Sequence, residues 1–482
     1  MSFARFRRRR DASTTPAGYD RRPGNVVLRR ARIRPEIVRI RPRGRSSITP
    51  KPWMLIAAFA LLILFGAFLL ALPVSSTSRD WTSFGDSLFT SVSAVCVTGL
   101  VRFDTANHWS GFGEAVILVL IQAGGLGVTM YAGALILIVG RRLGLRGRQF
   151  FGMELIGTSQ GASGVAILLR RVMIFTVVAE VVTFLLLLPW FIDLSGGGRG
   201  TWQAFFHAIS AFNNAGFDLM GDFAGFTGQI REPYPILVMG VAALLGSLSF
   251  LTVFDLRRRR SRWSLDTRFV VVGMGALLLF GIVVFAVSEL GDGVLGDLGA
   301  GHVLTSSFFL SVNRTTGMTT VDISQISDAT TALMLPLMFI GGASTSTASG
   351  IKIGSFMVVV VVLLSAVRGR SQATAFGREL PQPIVLRAIA ITGVGLAVLI
   401  AGVWALEISE DLPFLPLLFE VMSGAANVGW SQGVTPVLST SGVYILIVLM
   451  FIGRLGPLMV ALSVPDRPQA RYRYPTESIR IG

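Results

Sequence analysis

Apolar residues of this chain fall into long runs that recur from residue 53 to residue 462, with short polar stretches between them. A run of about twenty apolar residues lets a helix cross the roughly 30 Å hydrocarbon core of a bilayer. Eight such runs predict an all-α membrane protein with eight transmembrane helices. The runs lie near residues 53–73, 112–140, 172–192, 234–254, 268–289, 331–364, 385–406 and 442–462.

The runs come in pairs, and each pair encloses a short amphipathic stretch. These stretches lie near residues 83–96, 202–213, 303–314 and 414–426. About a dozen residues rising 1.5 Å each cannot cross the bilayer, so each stretch predicts a re-entrant pore helix. The chain therefore divides into four repeats of one plan: an apolar span, a pore helix and a second apolar span.

These repeats set the predicted domain boundaries. The predicted order is a flexible basic arm at 1–52, repeat 1 at 53–140, a link at 141–171, repeat 2 at 172–256, a link at 257–267, repeat 3 at 268–364, a link at 365–384, repeat 4 at 385–462 and a tail at 463–482.

Each pore helix leads into a tetrapeptide with glycine at its third position, and the four glycines are 117, 101 and 112 residues apart. A ring of backbone carbonyls can replace the water that a cation loses on entry. Glycine adopts, at low cost, the backbone angles that point successive carbonyls toward one axis. We therefore predict a potassium-binding selectivity filter. Its segments are Val97, Thr98, Gly99 and Leu100; Asn214, Ala215, Gly216 and Phe217; Thr315, Thr316, Gly317 and Met318; and Asn427, Val428, Gly429 and Trp430.

The composition indicates a membrane protein, and the distribution of charged residues along the chain indicates its orientation in the membrane. Of the residues, 52% are hydrophobic and 15% are charged, against about 25% charged in soluble domains. With both termini inside, the arm, links and tail hold 36 Lys/Arg and nine acids, and the outward segments hold five Arg and sixteen acids. The positive-inside rule therefore places both termini in the cytoplasm. The basic arm is expected to lie near anionic lipid and not to bind nucleic acid.

A run of small and hydroxyl residues interrupts the second span of repeat 3. Irregular backbone at membrane depth persists only where it lines water or is buried in protein, so we predict a mobile gate loop beneath the filter. Close helix packing through small residues is the alternative. Lys352 and Arg454 are candidate gate charges. A position at the cytoplasmic edge of the span is equally open for Lys352, and a role as a structural anchor is open for Arg454. The loop comprises Gly341, Gly342, Ala343, Ser344, Thr345, Ser346, Thr347, Ala348, Ser349 and Gly350.

Several acids lie near the predicted pore. Asp218 and Asp322 follow two filter segments and are candidates for an outer vestibule that attracts cations, or for helix caps. Glu180 lies within a span, where a hydrogen bond between helices is favoured over a proton or sodium coupling site. Asp86 and Glu420 fall in the pore helices of repeats 1 and 4, where they are expected to be caps or hydrogen-bond partners for the filter backbone. The single cysteine, Cys96, excludes an intramolecular disulfide and a cysteine-based metal cluster.

Several of these motifs together resemble the Trk/Ktr/HKT superfamily of potassium transporters, in their pore-forming TrkH and KtrB type of subunit. The resemblance covers roughly residues 53–482 and is carried by the filter segments and by the stretches 93–100, 122–127, 212–217, 314–317, 341–352, 453–458 and 472–475. Eight spans with no additional pair ahead of residue 53 are closer to the KtrB type.

The resemblance implies four membrane-pore-membrane repeats around a pseudo-fourfold pore, paired as a homodimer in the bacterial inner membrane. It implies a cytosolic RCK nucleotide-binding ring of the TrkA or KtrA type, so that the nucleotide binds the partner and not this chain. It also implies potassium uptake, because all four filter positions are glycine. Two departures are Asn427-Val428-Gly429-Trp430, where Thr-Val-Gly-Leu is more usual, and Ser349, where glycine is common.

Alternative functions remain open from the residues alone. A sodium or weakly selective cation pore is one, and the potassium-binding subunit of an ATP-driven pump is another, since it shares the repeat plan. A membrane-embedded enzyme would need a nucleophile and base or a metal cluster inside the membrane, and the sequence shows no such set.

Overall fold

The structure is a computed structural model that describes residues 52–126, 162–290, 293–370 and 372–463. The predicted basic arm, the tail and most of the first link lie outside the described residues, as does the end of the second span of repeat 1. Within the described part, the chain forms fifteen α-helices and one two-stranded hairpin.

Repeats 1 and 2 each place an amphipathic pore helix between two apolar helices. The helices of repeat 1 are α1 (Pro52–Ala71), α2 (Phe84–Cys96), α3 (Thr105–His108) and α4 (Gly111–Gly125). Those of repeat 2 are α5 (Ala162–Ser195), α6 (Gly197–Asn213), α7 (Pro233–Ser247) and α8 (Phe250–Leu256).

Repeats 3 and 4 follow the same plan, with a hairpin between them. Repeat 3 contains α9 (Leu265–Ser288), α10 (Ala300–Asn313), α11 (Asp328–Phe339) and α12 (Ile353–Val367). Strands β1 (Thr374–Ala375) and β2 (Arg378–Glu379) pair antiparallel. Repeat 4 contains α13 (Gln382–Ser409), α14 (Phe414–Ala426) and α15 (Thr440–Ser463).

Serine side chains fix the starts of several helices. The hydroxyl of Ser83 accepts a hydrogen bond from the backbone N–H of Asp86 at the start of α2, and Ser110 does the same for Gly113 at the start of α4. Such caps satisfy N–H groups that have no partner within the helix. The two serine caps therefore fix the residues at which α2 and α4 begin.

The four pore helices α2, α6, α10 and α14 pack in a cyclic order. Each contacts helices of its own repeat and also the second apolar helix of the preceding repeat: α4 packs on α6, α7 on α10, and α11 on α14. The cycle closes because α15 of repeat 4 packs on α2 of repeat 1. The four pore helices are thus brought around one common centre.

Three described helices have the length and composition to cross a membrane: Leu169–Ser195, Leu265–Ser288 and Gln382–Ser409. The bent pair α7 and α8 makes a fourth if it counts as one span. Other spans are shorter within the described residues, because α4 ends at Gly125 and the second span of repeat 3 is divided between α11 and α12. The predicted total of eight crossings therefore stays a prediction.

The second span of repeat 2 is not one straight helix. It turns by 100° between α7 and α8, across the two residues Leu248 and Ser249. The hydroxyl of Ser249 accepts from the backbone N–H of Leu251 and so starts α8 as a separate helix. The turn was not foreseen from the continuous apolar run 234–254, since hydrophobicity alone carries no information on helix direction.

Candidate functional site

The four glycine-containing segments lie side by side in a closed ring. A Cβ atom built on Gly99 would lie 2.5 Å from the carbonyl oxygen of Ala215 in the next repeat. A Cβ built on Gly317 would lie 2.5 Å from the carbonyl oxygen of Val428. For Gly216 and Gly429 the facing groups are the carbonyl oxygens of Thr316 and Thr98. Each glycine therefore faces the carbonyl that precedes the glycine of the following repeat, and the fourth segment closes onto the first.

The backbone of the ring needs glycine for a second reason. Gly99, Gly216, Gly317 and Gly429 have φ values of 90°, 78°, 86° and 104°, a region that residues with a Cβ rarely adopt. The twelve other filter side chains are at most 3% exposed. These positions therefore combine a left-handed backbone with close approach between repeats, and both features disfavour any side chain at the glycines.

Repeat 3 builds its segment differently from the other three. Val97, Asn214 and Asn427 end their pore helices in the left-handed conformation, with φ of 58°, 58° and 53°. In repeat 3 the equivalent helix ends one residue earlier, and Arg314 keeps a right-handed φ of −54°. The four glycines are therefore equivalent in the ring, but the backbone turn that leads to Gly317 differs from the other three.

Serines one turn before the filter support its backbone. Ser93 and Ser423 accept hydrogen bonds through their hydroxyls from the N–H groups of Gly99 and Gly429, at 3.1 and 3.0 Å. In repeat 2, the hydroxyl of Ser210 donates to the carbonyl of Phe217 at 2.6 Å. In repeat 3, Ser311 donates instead to the carbonyl of Leu278 on α9. The filter backbone is thus held by side chains in three repeats and is attached differently in the third.

Asn214 connects the second and third filter segments. Its amide oxygen accepts from the hydroxyls of Thr315 and Thr316, at 3.1 and 2.7 Å, and from Ser247 on α7 at 2.8 Å. Its amide nitrogen donates to the hydroxyl of Thr347 at 2.9 Å. One buried side chain therefore joins two filter segments, a helix and the loop of repeat 3.

The unusual fourth segment is explained by two contacts with its neighbours. The amide nitrogen of Asn427 donates to the hydroxyl of Thr98 in repeat 1 and to the carbonyl of Met450, both at 2.9 Å. The indole nitrogen of Trp430 donates to the carbonyl of Met318 in repeat 3 at 3.2 Å. Asn427 and Trp430 thus connect the fourth segment to the repeats on both sides.

We expect Asn214→Ala to destabilise the protein by roughly 2–4 kcal/mol, because it leaves several buried hydroxyl and carbonyl groups without a partner. The measurement is the thermal midpoint of detergent-solubilised protein, followed by size-exclusion chromatography after heating. The matched control is Asn107→Ala, since Asn107 is exposed and its side chain donates a single hydrogen bond, to Asp222. Equal midpoints for the two variants would contradict the role given to Asn214.

Arg314 is a buried cation directly before the third filter segment, and sequence reasoning did not select it as a site residue. It is 2% exposed, and its guanidinium donates to the carbonyls of Leu337 and Ile340 at the end of α11. A cation at a helix C-terminus meets the negative end of the helix dipole. The signal in the sequence is a single arginine beside a filter segment, at the start of the stretch 314–317.

The loop of repeat 3 lies between the end of α11 at Phe339 and the start of α12 at Ile353. Its backbone is held by the bent end of α7: Ala343 N–H donates to the carbonyl of Ser247 at 3.0 Å, and Thr347 N–H donates to the carbonyl of Gly246 at 3.1 Å. Short backbone bonds also join the two ends of the loop, around Ile340 and Ile351. The ten residues are therefore attached to repeat 2 as well as to their own repeat.

Arg454 on α15 joins three repeats through its hydrogen bonds. Its guanidinium donates to the carbonyl of Thr347 at 2.8 Å and to the hydroxyl of Ser349 at 2.5 Å. It also donates to the carbonyl of Gly124 on α4 at 2.7 Å. Lys352, at the start of α12, donates to the carbonyl of Ala348 at 2.5 Å. With the loop bound to repeat 2, these contacts connect all four repeats.

Glu180 is part of a hydrogen-bonded group between helices. Its carboxylate accepts from the amides of Asn213 at 2.9 Å and Gln122 at 3.3 Å, on α6 and α4 respectively. Asn213 also donates to Gln122 at 2.9 Å. The contacts are those of the helix-to-helix hydrogen bond that was favoured for Glu180.

The two acids of the pore helices have separate surroundings. The carboxylate of Asp86 accepts a hydrogen bond from the hydroxyl of Ser83 at 2.6 Å and forms an ion pair with Arg102 at 2.8 Å. Glu420 is fully buried and accepts from the hydroxyls of Ser431 at 2.8 Å and Thr435. Both side chains bind residues that follow a filter segment, Arg102 and Ser431 among them, and these contacts are not with the filter backbone itself.

The two vestibule candidates differ in their contacts. Asp322 is exposed and accepts from the backbone and the hydroxyl of Ser324, so it caps a short 3₁₀ turn. Asp218 lies in the loop after the second filter segment and accepts from the N–H of Met220 at 3.0 Å. Burial raises the pKa of Asp218 to about 6. The negative charge of Asp104 also raises this pKa, whereas the hydrogen bond from the N–H of Met220 lowers it.

The chain is similar to known proteins along most of its length. The family model of TrkH, described as a cation transport protein, matches residues 55–473. The Ktr system potassium uptake protein B of Bacillus subtilis is 36% identical over 437 residues, which cover 89% of this chain and 96% of that protein. The potassium/sodium uptake protein NtpJ of Enterococcus hirae is 36% identical over 453 residues, covering 92% and 99%.

A solved structure shares the fold. The potassium transporter TrkH from Vibrio parahaemolyticus superimposes with a TM-score of 0.67, covering 88% of this chain and 87% of its own, at 18% sequence identity. At this identity the likeness is one of fold alone.

Proposed function

The chain belongs to the TrkH family of cation transport proteins, and from this premise we propose that it takes potassium ions into the cell through the ring of its four filter segments. The observation that carries the proposal is the cyclic contact of the glycines Gly99, Gly216, Gly317 and Gly429 with the carbonyls of the next repeat. A ring of carbonyl oxygens replaces the water that a potassium ion sheds on entry. The ion is the cargo of the protein, and no covalent chemistry is involved.

The loop at residues 341–350 and Arg454 form the closed gate of this proposal. Their contacts join all four repeats beneath the filter, so an ion leaving the filter meets packed protein and a fixed positive charge. At 4 Å two unit charges interact by about 4 kcal/mol for an effective dielectric constant of 20. Opening therefore requires the loop to leave Arg454, and a pull on α12, which follows the loop directly, would supply that movement.

We place the protein in the bacterial inner membrane as a homodimer with both termini in the cytoplasm. The partner that pulls on α12 is a cytosolic RCK ring of the TrkA or KtrA type, which binds the regulatory nucleotide. The Bacillus subtilis relative is protein B of a Ktr system, and this supports an assembly of more than one subunit. The excess of arginine in the segments assigned to the cytoplasm supports the orientation.

A sodium-permeable or weakly selective pore is the second candidate, because one relative at 36% identity is named a potassium/sodium uptake protein. Uptake of K⁺ and of Na⁺ into liposomes containing purified protein, with and without the ring subunit, separates the two. We expect K⁺ to enter faster than Na⁺ and the ring to change the rate. Equal entry of both ions would favour the second candidate, and entry of neither would contradict the transport function.

The raised pKa of Asp218 predicts a pH dependence of transport. Because this pKa is about 6, the carboxyl is charged at pH 7.5 and neutral at pH 5, and the attraction for cations is lost as the pH falls between them. At sub-saturating potassium, uptake should fall about two- to fivefold over this range, as expected for the loss of one attracting charge. The readout is the initial rate of K⁺ uptake at several external pH values.

The control for this prediction is a pair of variants. Asp218→Asn should show the low rate at pH 7.5 and a flattened pH profile, whereas Asp322→Asn should keep the wild-type profile because Asp322 caps an exposed turn. A wild-type profile in Asp218→Asn would show that the titrating group lies elsewhere.

A further inference from the structure

A dense group of exposed arginines lies in the turn between α8 and α9. Residues 257–262 contain five arginines, Arg257, Arg258, Arg259, Arg260 and Arg262, and all five are exposed. The positive-inside rule accounts for arginine on this side of the membrane. It does not account for the hydrogen bonds that join this turn to the start of α9.

Asp255 fixes this turn to the start of α9. Its carboxylate accepts from the N–H of Ser264 at 2.9 Å and from the hydroxyl of Thr267 at 2.8 Å, and it pairs with Arg258 at 3.3 Å. Burial would raise the pKa of Asp255, but these hydrogen bonds and the charge of Arg258 keep it below its ordinary value. The carboxylate is therefore ionised at neutral pH, and the basic turn has a rigid base.

The arginines of the turn are available to an anionic group. Arg258, Arg259 and Arg262 line an open recess of about 490 Å³. Among the described residues, Arg259, Arg260 and Arg262 form no ion pair with an acid. The guanidinium of Arg260 lies 5.9 Å from the centre of the Trp263 ring. Arginine beside tryptophan is typical of protein at the level of lipid headgroups.

The turn is also close in the chain to the contacts that hold the gate. It follows α8, and α8 follows the bend whose residues bind the loop: Ser247 through its carbonyl to Ala343, and Ser249 through its hydroxyl to that of Thr345 at 2.8 Å. Leu256, the last residue of α8, is 38% exposed and apolar. A membrane surface that holds the turn and α8 would therefore also hold the bend to which the loop is attached.

From these observations we propose that the turn 257–263 binds the phosphate groups of anionic phospholipids on the cytoplasmic side, and that this binding stabilises the closed gate. The proposal rests on the proposed transport function. Lipid is favoured over an acidic protein because the basic turn is combined with tryptophan and with an exposed apolar helix end, which match a headgroup surface next to hydrocarbon. Each arginine near such a surface contributes about fivefold in affinity.

The experiment uses the full chain without the ring subunit, in liposomes of phosphatidylcholine alone or with about one third phosphatidylglycerol. Wild-type K⁺ flux should be lower in the anionic liposomes by about threefold or more, and the variant Arg258→Gln/Arg259→Gln/Arg262→Gln should have the same flux in both. The matched control is Arg368→Gln/Arg370→Gln/Arg378→Gln, which removes three exposed arginines from the link after α12 and should keep the wild-type dependence on lipid.

Binding is measured separately from flux. Brominated phosphatidylglycerol quenches nearby tryptophan, so the difference in quenching between the wild type and Trp263→Phe reports on the turn alone. This difference should vanish, or require about tenfold more lipid, in the triple variant of the turn. The same readout with unbrominated lipid and inorganic phosphate in competition distinguishes a lipid site from a site for free phosphate.

The outcomes are distinct. Flux that does not depend on phosphatidylglycerol, with no quenching at Trp263, overturns the lipid proposal while leaving K⁺ transport intact. A triple variant that loses flux only when the ring subunit is present, in either lipid, assigns the turn to protein docking and also overturns it. Absence of K⁺ flux from every liposome, with normal folded yield, contradicts the transport function itself.

Discussion

Replacing Gly99 by serine is expected to lower the ratio of K⁺ to Na⁺ permeability by about tenfold or more. The added Cβ would lie 2.5 Å from the carbonyl oxygen of Ala215 and 2.9 Å from Cα of Gly216, so the neighbouring carbonyl has to move. Gly99 also has a φ of 90°, where a side chain costs about 1–3 kcal/mol. Since about 1.4 kcal/mol is a factor of ten, a distorted ring loses much of its preference for one ion radius.

Backbone strain and contact within the ring can be separated with a second glycine. Gly433 follows the fourth filter segment with a φ of 80°, and a Cβ there would meet nothing within 4 Å. Gly433→Ser therefore carries similar strain without the clash and should keep the wild-type permeability ratio. The ratio is measured in liposomes with opposing K⁺ and Na⁺ gradients. An unchanged ratio in Gly99→Ser would remove Gly99 from the filter.

Replacing Arg454 by glutamine is expected to raise K⁺ flux in the absence of the ring subunit by about tenfold or more. The guanidinium holds the gate by three hydrogen bonds, to Thr347, Ser349 and Gly124, and each bond to a charged group is worth about 1.5–3 kcal/mol. Removing the charge also removes its repulsion of the ion. The closed gate loses stability on both counts, so the population of the open gate increases.

Arg454 could instead serve only as a structural anchor, and folded yield tells the two roles apart. An anchor predicts lower yield without higher flux, whereas a gate predicts higher flux per folded molecule. Ser349→Ala is a graded control, because it removes one of the three bonds and keeps the charge, and it should raise flux less. Normal yield of Arg454→Gln with unchanged or lower flux would rule out the gating role.

The sequence was sufficient for the family and the class of fold because both depend on features that repeat. Membership in the TrkH family is confirmed by the family model over residues 55–473, and a helical membrane fold is supported by the shared architecture of a solved relative. Apolar length predicts where a helix can cross, and four glycines at similar spacing indicate four equivalent segments. Neither feature depends on details of side-chain packing.

Other features depend on contacts between residues distant in sequence, and these were out of reach. The role of Asn214 as a link from filter to loop involves Thr347, 133 residues away. The buried Arg314 binds the end of α11, which becomes visible only after the helix is placed. The 100° turn before α8 lies inside a continuous apolar run. Each of these follows from tertiary hydrogen bonding, which hydrophobic periodicity does not report.

The central claim is that the closed ring of four glycine segments selects potassium. Its most direct test is the reversal potential of purified protein in a planar bilayer with K⁺ on one side and an equal concentration of Na⁺ on the other, using Arg454→Gln to keep the gate open. We predict a reversal potential displaced far from zero in the direction of K⁺ selectivity, and a return toward zero when Gly99→Ser is added. A reversal potential near zero with Gly99 intact would contradict the claim.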